Sequence, residues 1–298
     1  MVEIILFDGS VTTRLVASSG KKTKREAQHT IDLSRICKKV YVMERTINSR
    51  QVGLARALSK LGYCSRSHGA KLICAGRVRV NGATRLDPET PVHLQQDRIE
   101  VDRKAVAAES EIYLMLNKPR GVVTTASDEK GRKTVYALLG EKLPWVGPVG
   151  RLDKASEGLL LLTNDSEWAA RISDPGSHLD KTYHVQVACL LNGTITHELM
   201  TGVRVGGELL RAKRVRLLRS GEKNTWLEMV LDEGKNRQIR RMFRRLGIEV
   251  LRLIRVSIGP VTLGQLAKGN FRPLAGPEKS ALDQAIKISS HRTDLLKS

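Results

Sequence analysis

Apolar and polar residues recur with different periods along this chain, and each period predicts a different kind of element. The most uniform run is residues 159–162, four leucines with no polar side. Such a run is typical of a central strand buried on both faces. The loop that leads into it, residues 150–158, begins and ends with glycine, and a buried strand fixes the loop before it. Asp153 is therefore expected to be held near the surface, with Arg151 keeping it ionised; an ordinary loop salt bridge is the alternative.

Closer to the N-terminus the period changes to that of short helices. Helical spacing predicts two helices between residues 54 and 76, the first ended by Gly62 and the second capped by Ser65. Valines then alternate with arginines up to Asn81-Gly82, a strong signal for a hairpin turn. Two short helices and a small sheet therefore fit within residues 52–101.

The larger part of the chain, residues 111–276, is mainly strand-like. Few helices interrupt it, notably near residues 166–172 and 236–246. That order predicts an α+β fold with a mainly antiparallel sheet. A polar linker is expected at residues 102–110, and a loose polar tail at residues 277–298.

The first segment, residues 1–51, opens with a strand-like run at residues 2–7 and continues into a basic stretch. It is expected to be a weakly structured basic extension. Two other interpretations stay open, an overlong predicted start and an organellar presequence, although five acidic residues make it less acid-poor than such signals usually are.

The net charge of the chain indicates a class of binding partner. The 298 residues contain 51 Lys and Arg against 31 Asp and Glu, a formal net charge of +20 that attracts polyanions, nucleic acid first among them. An acidic membrane surface is a minor option, because no apolar stretch approaches the length of a membrane helix and no signal-peptide core is present. We therefore expect a cytoplasmic protein.

Cysteine, histidine and aromatic residues restrict the chemistry further. The four cysteines lack paired spacing and the seven histidines do not cluster with them, so reduced thiols and no metal site are expected. Aromatic residues make up 4% of the chain, so any base stacking would use one or two rings.

A basic amphipathic helix is predicted within residues 234–247. Wound at about 100° per residue, it gathers four apolar side chains on one face, Ile239, Met242, Phe243 and Leu246. Four arginines lie opposite, Arg237, Arg241, Arg244 and Arg245. Arg240 falls at the edge of the apolar stripe, where its guanidinium can enter a pocket. Residues 235–255 contain eight Lys or Arg and a single acid, Glu249, so a polyanion-binding surface is expected, with a merely solvated basic face as the alternative.

The small unit resembles the S4-type RNA-binding domain through residues 58–66 and 75–82. Its basic residues are then candidates for RNA docking, namely Arg66, Lys71, Arg77 and Arg79. A solvated face that binds nothing is the alternative.

Three separated motifs follow this unit, Arg-Leu-Asp at 151–153, Lys-Thr-Tyr at 181–183 and Asn-Arg-Gln-Ile-Arg at 236–240. In this order they resemble the ribosomal RNA pseudouridine synthases of the small-subunit uridine group and their large-subunit relatives. The resemblance covers roughly residues 52–275. Residues 156–158 read Ser-Glu-Gly where many relatives have Thr-Ser-Gly, which weakens assignment to one subgroup.

The resemblance implies roles that the residues alone do not establish. Asp153 would be the catalytic aspartate, Tyr183 would stack on the target base and assist proton handling, and Arg240 would pair with Asp153. Arg151 would support the site, and an apolar residue, Leu253 or Ile254, would contact the base. Without the resemblance, Tyr183 is better explained as core packing.

The implied reaction isomerises a flipped-out uridine of ribosomal RNA, with no redox, metal or nucleotide cofactor and a monomer as the default. Two alternatives belong to other classes. An RNA methyltransferase with the same small module would need a glycine-rich cofactor loop, which the sequence lacks. A non-catalytic ribosome assembly factor is disfavoured by the intact Asp153, Tyr183 and Arg240.

Overall fold

The computed structural model describes residues 2–7, 10–15, 51–107, 110–126, 128, 130–140 and 143–295. The chain divides into two compact units, Met1–Arg50 and Gln51–Ser298. In the first unit, β1 (Val2–Phe7) pairs antiparallel with β2 (Ser10–Leu15), so the predicted strand at 2–7 is present. The remainder of the predicted basic extension lies outside the described residues.

The second unit begins with two short helices over a small sheet. Helix α1 (Leu54–Lys60) follows strand β3 (Val52–Gly53), and α2 (Arg66–Cys74) starts after Ser65, whose Oγ accepts a hydrogen bond from the His68 amide at 3.1 Å. This satisfies one of the free amides of the first helical turn, and it confirms the predicted cap.

The strands of this small unit form two sheets. Strands β4 (Val78–Val80), β5 (Ala83–Arg85), β7 (Ile99–Val101) and β8 (Lys104–Ala105) are ordered β5-β4-β7-β8, while β3 pairs with β6 (Pro91–Val92). Fully buried Leu54, Leu58, Ile73 and Val78 pack between the helices and the sheet.

One boundary of the small unit differs from the prediction. The expected linker at residues 102–110 begins with strand β8, which pairs with β7, so the sheet continues into that segment. Asp102 and Arg103 make the connecting turn with φ of 50° and 64°. Left-handed hairpin turns usually carry glycine, and this one has none, so the sequence gives little warning of it. At the predicted turn, Asn81 and Gly82 have the expected positive φ, 52° and 83°.

The main sheet is built from β9 (Tyr113–Lys118), β10 (Gly147–Val149), β11 (Glu157–Thr163), β12 (Lys181–Val187), β15 (Arg214–Ser220), β16 (Thr225–Leu231), β17 (Val250–Ile258), β18 (Val261–Thr262) and β19 (Phe271–Pro273). Its order is β15-β16-β12-β17-β11-β9-β19, with β10 beside β11 and β18 beside β17. Among these described pairings only β11 with β17 is parallel, which confirms the mainly antiparallel α+β fold.

Strand β11 is the predicted central strand. Residues 159–162 are fully buried, with β9 along one edge of the strand; along the other edge, β17 pairs with its first two residues and β10 pairs with Leu161 and Leu162. Leu160 and Leu162 pack on one face of the sheet, and Leu159 and Leu161 pack on the other, against Trp168. Packing on both faces of this strand thus explains why residues 159–162 include no polar side chain.

Helices cover parts of this sheet. Helix α3 (Ser166–Ser173) is capped by Asp165, and α4 (Gly193–Thr201) precedes the hairpin of β13 (Val203–Val205) and β14 (Glu208–Leu210). Helix α5 (Gln238–Arg245) is shorter than the predicted 236–246, because Arg237 adopts a left-handed φ of 50° just before it. Single 3₁₀ turns lie at Val135–Leu138 and Pro175–Ser177.

The loose tail expected at residues 277–298 is corrected by a long helix, α6 (Gly276–Leu295). Leu282 is fully buried in the same cluster as Trp168, and the Trp168 Nε1 donates to Asp283 Oδ1 at 2.8 Å. Apolar positions are sparse in this polar stretch, so the sequence alone did not predict that it packs as a helix. No helix in the described part of the chain has both the length and the apolarity to cross a lipid bilayer.

Candidate active site

A cavity of about 340 Å³ opens beside the loop between β10 and β11. Asp153 and Arg151 line it from the loop, Tyr183 from β12 and Leu253 from β17. The turn before α5 closes it with Arg237. The structure therefore brings together side chains from all three predicted motifs.

The loop that carries Asp153 is anchored through its backbone by a lysine that the sequence analysis did not single out. The fully buried Lys118 donates from Nζ to the carbonyls of Asp153 at 3.1 Å, Ser156 at 2.8 Å and Pro119 at 3.1 Å. Burial lowers the pKa of Lys118 to about 8, against the opposing charges of Asp153 and Glu157. The amine is therefore protonated at neutral pH, and its three N–H donors match three carbonyl acceptors.

The carboxylate itself has a different arginine partner from the one that the family resemblance implied. Arg237 Nε lies 3.7 Å from Asp153 Oδ2. Arg240 instead donates from Nη2 to the Ala155 carbonyl at 3.0 Å and from Nη1 to the Val250 carbonyl at 3.2 Å. The expected Arg240–Asp153 ion pair is thus replaced by Arg237–Asp153, and Arg240 holds the loop just after the acid.

Arg240 is half-buried, as its place at the edge of the apolar stripe predicted. Burial lowers the pKa of its guanidinium, with Arg237 and Arg120 adding to the effect and Asp153 opposing it. An arginine guanidinium is not deprotonated in proteins, so the group keeps its charge.

Strand register decides between the two apolar candidates. Leu253 faces the cavity and packs in the cluster that contains Val185. Ile254 is the next residue along β17 and pairs with His184, so its side chain points to the opposite face of the sheet. Of the two candidates, Leu253 therefore lines the cavity and Ile254 does not.

Three further cations that sequence reasoning missed line the cavity, Lys181, Lys235 and Arg255. Arg255 is buried and donates from Nε to the Leu159 carbonyl at 2.8 Å. Burial and the neighbouring Arg255 together lower the pKa of Lys181 to about 8, against the opposing charges of Asp180 and Asp232. The Lys-Thr-Tyr motif contained this signal, since Lys181 and Tyr183 lie on the same face of one strand.

Comparison with known proteins identifies the family of this chain. Residues 112–245 match the model for RNA pseudouridylate synthase, and residues 52–99 match the S4 domain. A protein of Rickettsia prowazekii named an uncharacterized RNA pseudouridine synthase is 38% identical over 224 residues, 74% of this chain and 94% of that one. The chain belongs to the RNA pseudouridine synthase family. The protein therefore isomerises uridine to pseudouridine in RNA, and the alternative of an RNA methyltransferase is rejected.

Two further comparisons support the assignment. The ribosomal large subunit pseudouridine synthase B of Bacillus subtilis is 36% identical over 231 residues, 77% of this chain and 94% of that protein. A crystal structure of a pseudouridylate synthase superposes with a TM-score of 0.55 at 31% identity, covering 78% of this chain and 99% of that one.

The basic helix of the synthase is more neutralised than its local sequence suggested. Arg244 and Arg245 are exposed as expected. Arg241 instead donates to Glu208 Oε2 at 2.7 Å, and Lys235 lies 2.6 Å from Glu233. Both acids precede residue 235 in the chain, so a count of charges over residues 235–255 could not include them.

The S4 domain shows a similar division. Arg66 and Lys71 are exposed on α2, and Arg79 is half-buried on β4. Arg77 donates from Nε to Asp102 Oδ1 at 2.8 Å, so an acid already occupies its guanidinium. Arg66 and Lys71 are therefore the better placed of the four for RNA phosphates.

Lys181 is expected to titrate near pH 8, about two units below an ordinary lysine, because burial beside Arg255 disfavours its charged form. Its folded pKa lies below the unfolded value of 10.5, so the cost to stability is present below pH 8 and disappears as pH rises toward 10.5. ¹³C NMR of protein carrying lysine labelled with ¹³C at Cε measures this pKa. Lys181→Arg should remove one early-titrating resonance and leave the one from Lys118; a spectrum in which every lysine titrates near pH 10 contradicts the prediction.

Proposed function

We propose that this protein isomerises a specific uridine of ribosomal RNA to pseudouridine, with Asp153 as the catalytic group. The supporting observation is one juxtaposition. The Asp153 carboxylate is 43% exposed at the mouth of a cavity shared with Tyr183 and Leu253. Its backbone is meanwhile held by the buried Lys118. An accessible acid on a fixed loop is what a reaction at the sugar carbon of a flipped nucleotide requires.

The reaction breaks the bond between N1 of uracil and C1′ of the ribose, turns the base and joins C5 to C1′. The proton on C5 is lost and N1 ends protonated, so atoms balance without a co-reactant. In our proposal the Asp153 carboxylate acts at C1′, either by adding to it or by stabilising its positive charge. Arg237 pairs with the carboxylate, and Arg240 and Lys118 position its loop.

The detached base must stay in the cavity until the new bond forms. In this proposal Tyr183 stacks on it and assists proton handling, and Leu253 packs against its other side. Stacking on an aromatic ring contributes about 1–3 kcal/mol per base. Flipping the uridine costs a few kcal/mol, which contacts between RNA phosphates and the cationic surface can offset.

The choice of ribosomal RNA rests on the S4 domain and on the large-subunit name of the Bacillus subtilis relative. The proposal extends to a cytoplasmic protein that acts as a monomer. Glu157, where many relatives have serine, is buried and paired with Arg252 at 3.1 Å, so we assign it to the fold and not to substrate choice.

Mapping pseudouridines in ribosomal RNA from cells with and without this gene tests the proposal. We expect one uridine, or a few neighbouring ones, to lose modification in the deletion strain, and the purified protein to restore it on RNA from that strain. Unchanged ribosomal RNA together with a lost pseudouridine in transfer RNA would contradict the ribosomal assignment and leave the family activity intact.

A further inference from the structure

The cavity occupies one face of the main sheet, and the other face of the same strands carries a second basic surface. We call it the arginine face and define it by Arg214, Arg216, Arg219, Trp226, Arg252 and Lys268. Gln186 of β12 pairs with Trp226 on one side and with Arg252 on the other. Val185, next to Gln186, packs with Leu227 in the core under α5. By strand alternation, Trp226 and Arg252 therefore point away from α5.

An aromatic ring lies at the centre of this face between two guanidinium groups. The guanidinium carbons of Arg219, on β15, and Arg252, on β17, are each 5.5 Å from the Trp226 ring centroid. These distances are within the range of cation–π attraction. The three side chains thus span four adjacent strands, β15, β16, β12 and β17.

The arginine face carries more positive than negative charge. Arg214 and Arg216 lie 3.5 and 3.3 Å from Glu228, and Arg252 and Lys268 share the buried Glu157. In the described part of the chain Arg219 has no acidic partner. Five cations thus face two carboxylates, and the side chains of Arg214 and Arg216 stay 65% and 64% exposed.

We propose that the arginine face binds a second segment of the substrate RNA through its sugar–phosphate backbone. This inference rests on the proposed function for the identity of the RNA. Arginine fits the occupant because its planar guanidinium binds phosphate oxygens bidentately. Arg214 and Arg216, two residues apart on one strand, lie about 7 Å apart, comparable with neighbouring phosphates of an RNA strand.

The test compares two double variants with equal loss of charge. R216Q/R219Q alters the arginine face, and R171Q/R204Q removes two exposed arginines from α3 and β13. Binding of a fluorescein-labelled RNA stem-loop with single-stranded flanks is followed by anisotropy over a range of salt. R216Q/R219Q should reduce the slope of log affinity against log salt by about 1.5 and weaken binding roughly tenfold, because each lost phosphate contact removes counterion release.

Equal slopes for the two double variants would overturn the proposal, since overall charge alone would then explain binding. Cross-linking of the same RNA substituted with 4-thiouridine gives a second readout, which should recover the peptide containing Trp226. A face that binds an acidic protein would leave both RNA measurements unchanged, which also overturns it. If the deletion strain shows no ribosomal target but the slopes still differ, the ribosomal function fails and the arginine face stands.

Discussion

Asp153→Asn should abolish pseudouridine formation, by about a thousandfold or more, while RNA affinity stays within a few-fold. The amide keeps the shape of the side chain but cannot carry the charge that the proposed step at C1′ uses. RNA binding should survive because the Asp153–Arg237 pair is long, 3.7 Å between Oδ2 and Nε, and partly exposed. Such pairs contribute about 1 kcal/mol or less. Tritium released from RNA labelled at C5 of uridine measures turnover.

Glu233→Gln is the matched control. Glu233 also lines the cavity, but its carboxylate is paired with Lys235 at 2.6 Å and we assign it no role at the sugar. If negative charge in the cavity were all that mattered, both amides would lose activity to a similar degree. Retained turnover by purified Asp153→Asn would reject the assigned role, whatever the control does.

Features that are determined by residues close together in the chain were predictable from the sequence. The Ser65 cap and the Asn81-Gly82 turn depend on contacts within a few residues, and the buried strand at 159–162 is marked by four consecutive leucines, so pattern and structure agree. The fold class followed from the order of such elements.

The inner geometry of the site depends on register and on distant contacts, which a single sequence does not contain. Lys118 lies 35 residues from Asp153 in the chain, yet its amine holds that loop. The left-handed Arg237 turns the start of α5 so that Arg237, and not Arg240, reaches the acid. The choice of Leu253 over Ile254 required knowing which face of β17 lines the cavity.

The second large effect is expected for stability, from Gly158→Ala. Gly158 has φ of +103° and lies against β17, where a Cβ atom would meet the Arg255 carbonyl oxygen at 2.2 Å and the Arg255 amide nitrogen at 2.8 Å. Both neighbours are backbone of a central strand, so neither can rotate away as a side chain would. Strand separation and backbone strain together should cost about 3–6 kcal/mol, measured as the free energy of unfolding in urea.

Gly150→Ala separates the two contributions to that cost. Gly150 also has a positive φ, +71°, but nothing lies within 4 Å of the point that an alanine Cβ would occupy there, so only backbone strain of about 1–2 kcal/mol should appear. Equal losses in the two variants would mean that strain alone acts at Gly158 and that β11 can move away from β17. A larger loss at Gly158 means that the parallel contact is rigid, and this rigidity is what lets β11 hold the Asp153 loop in place.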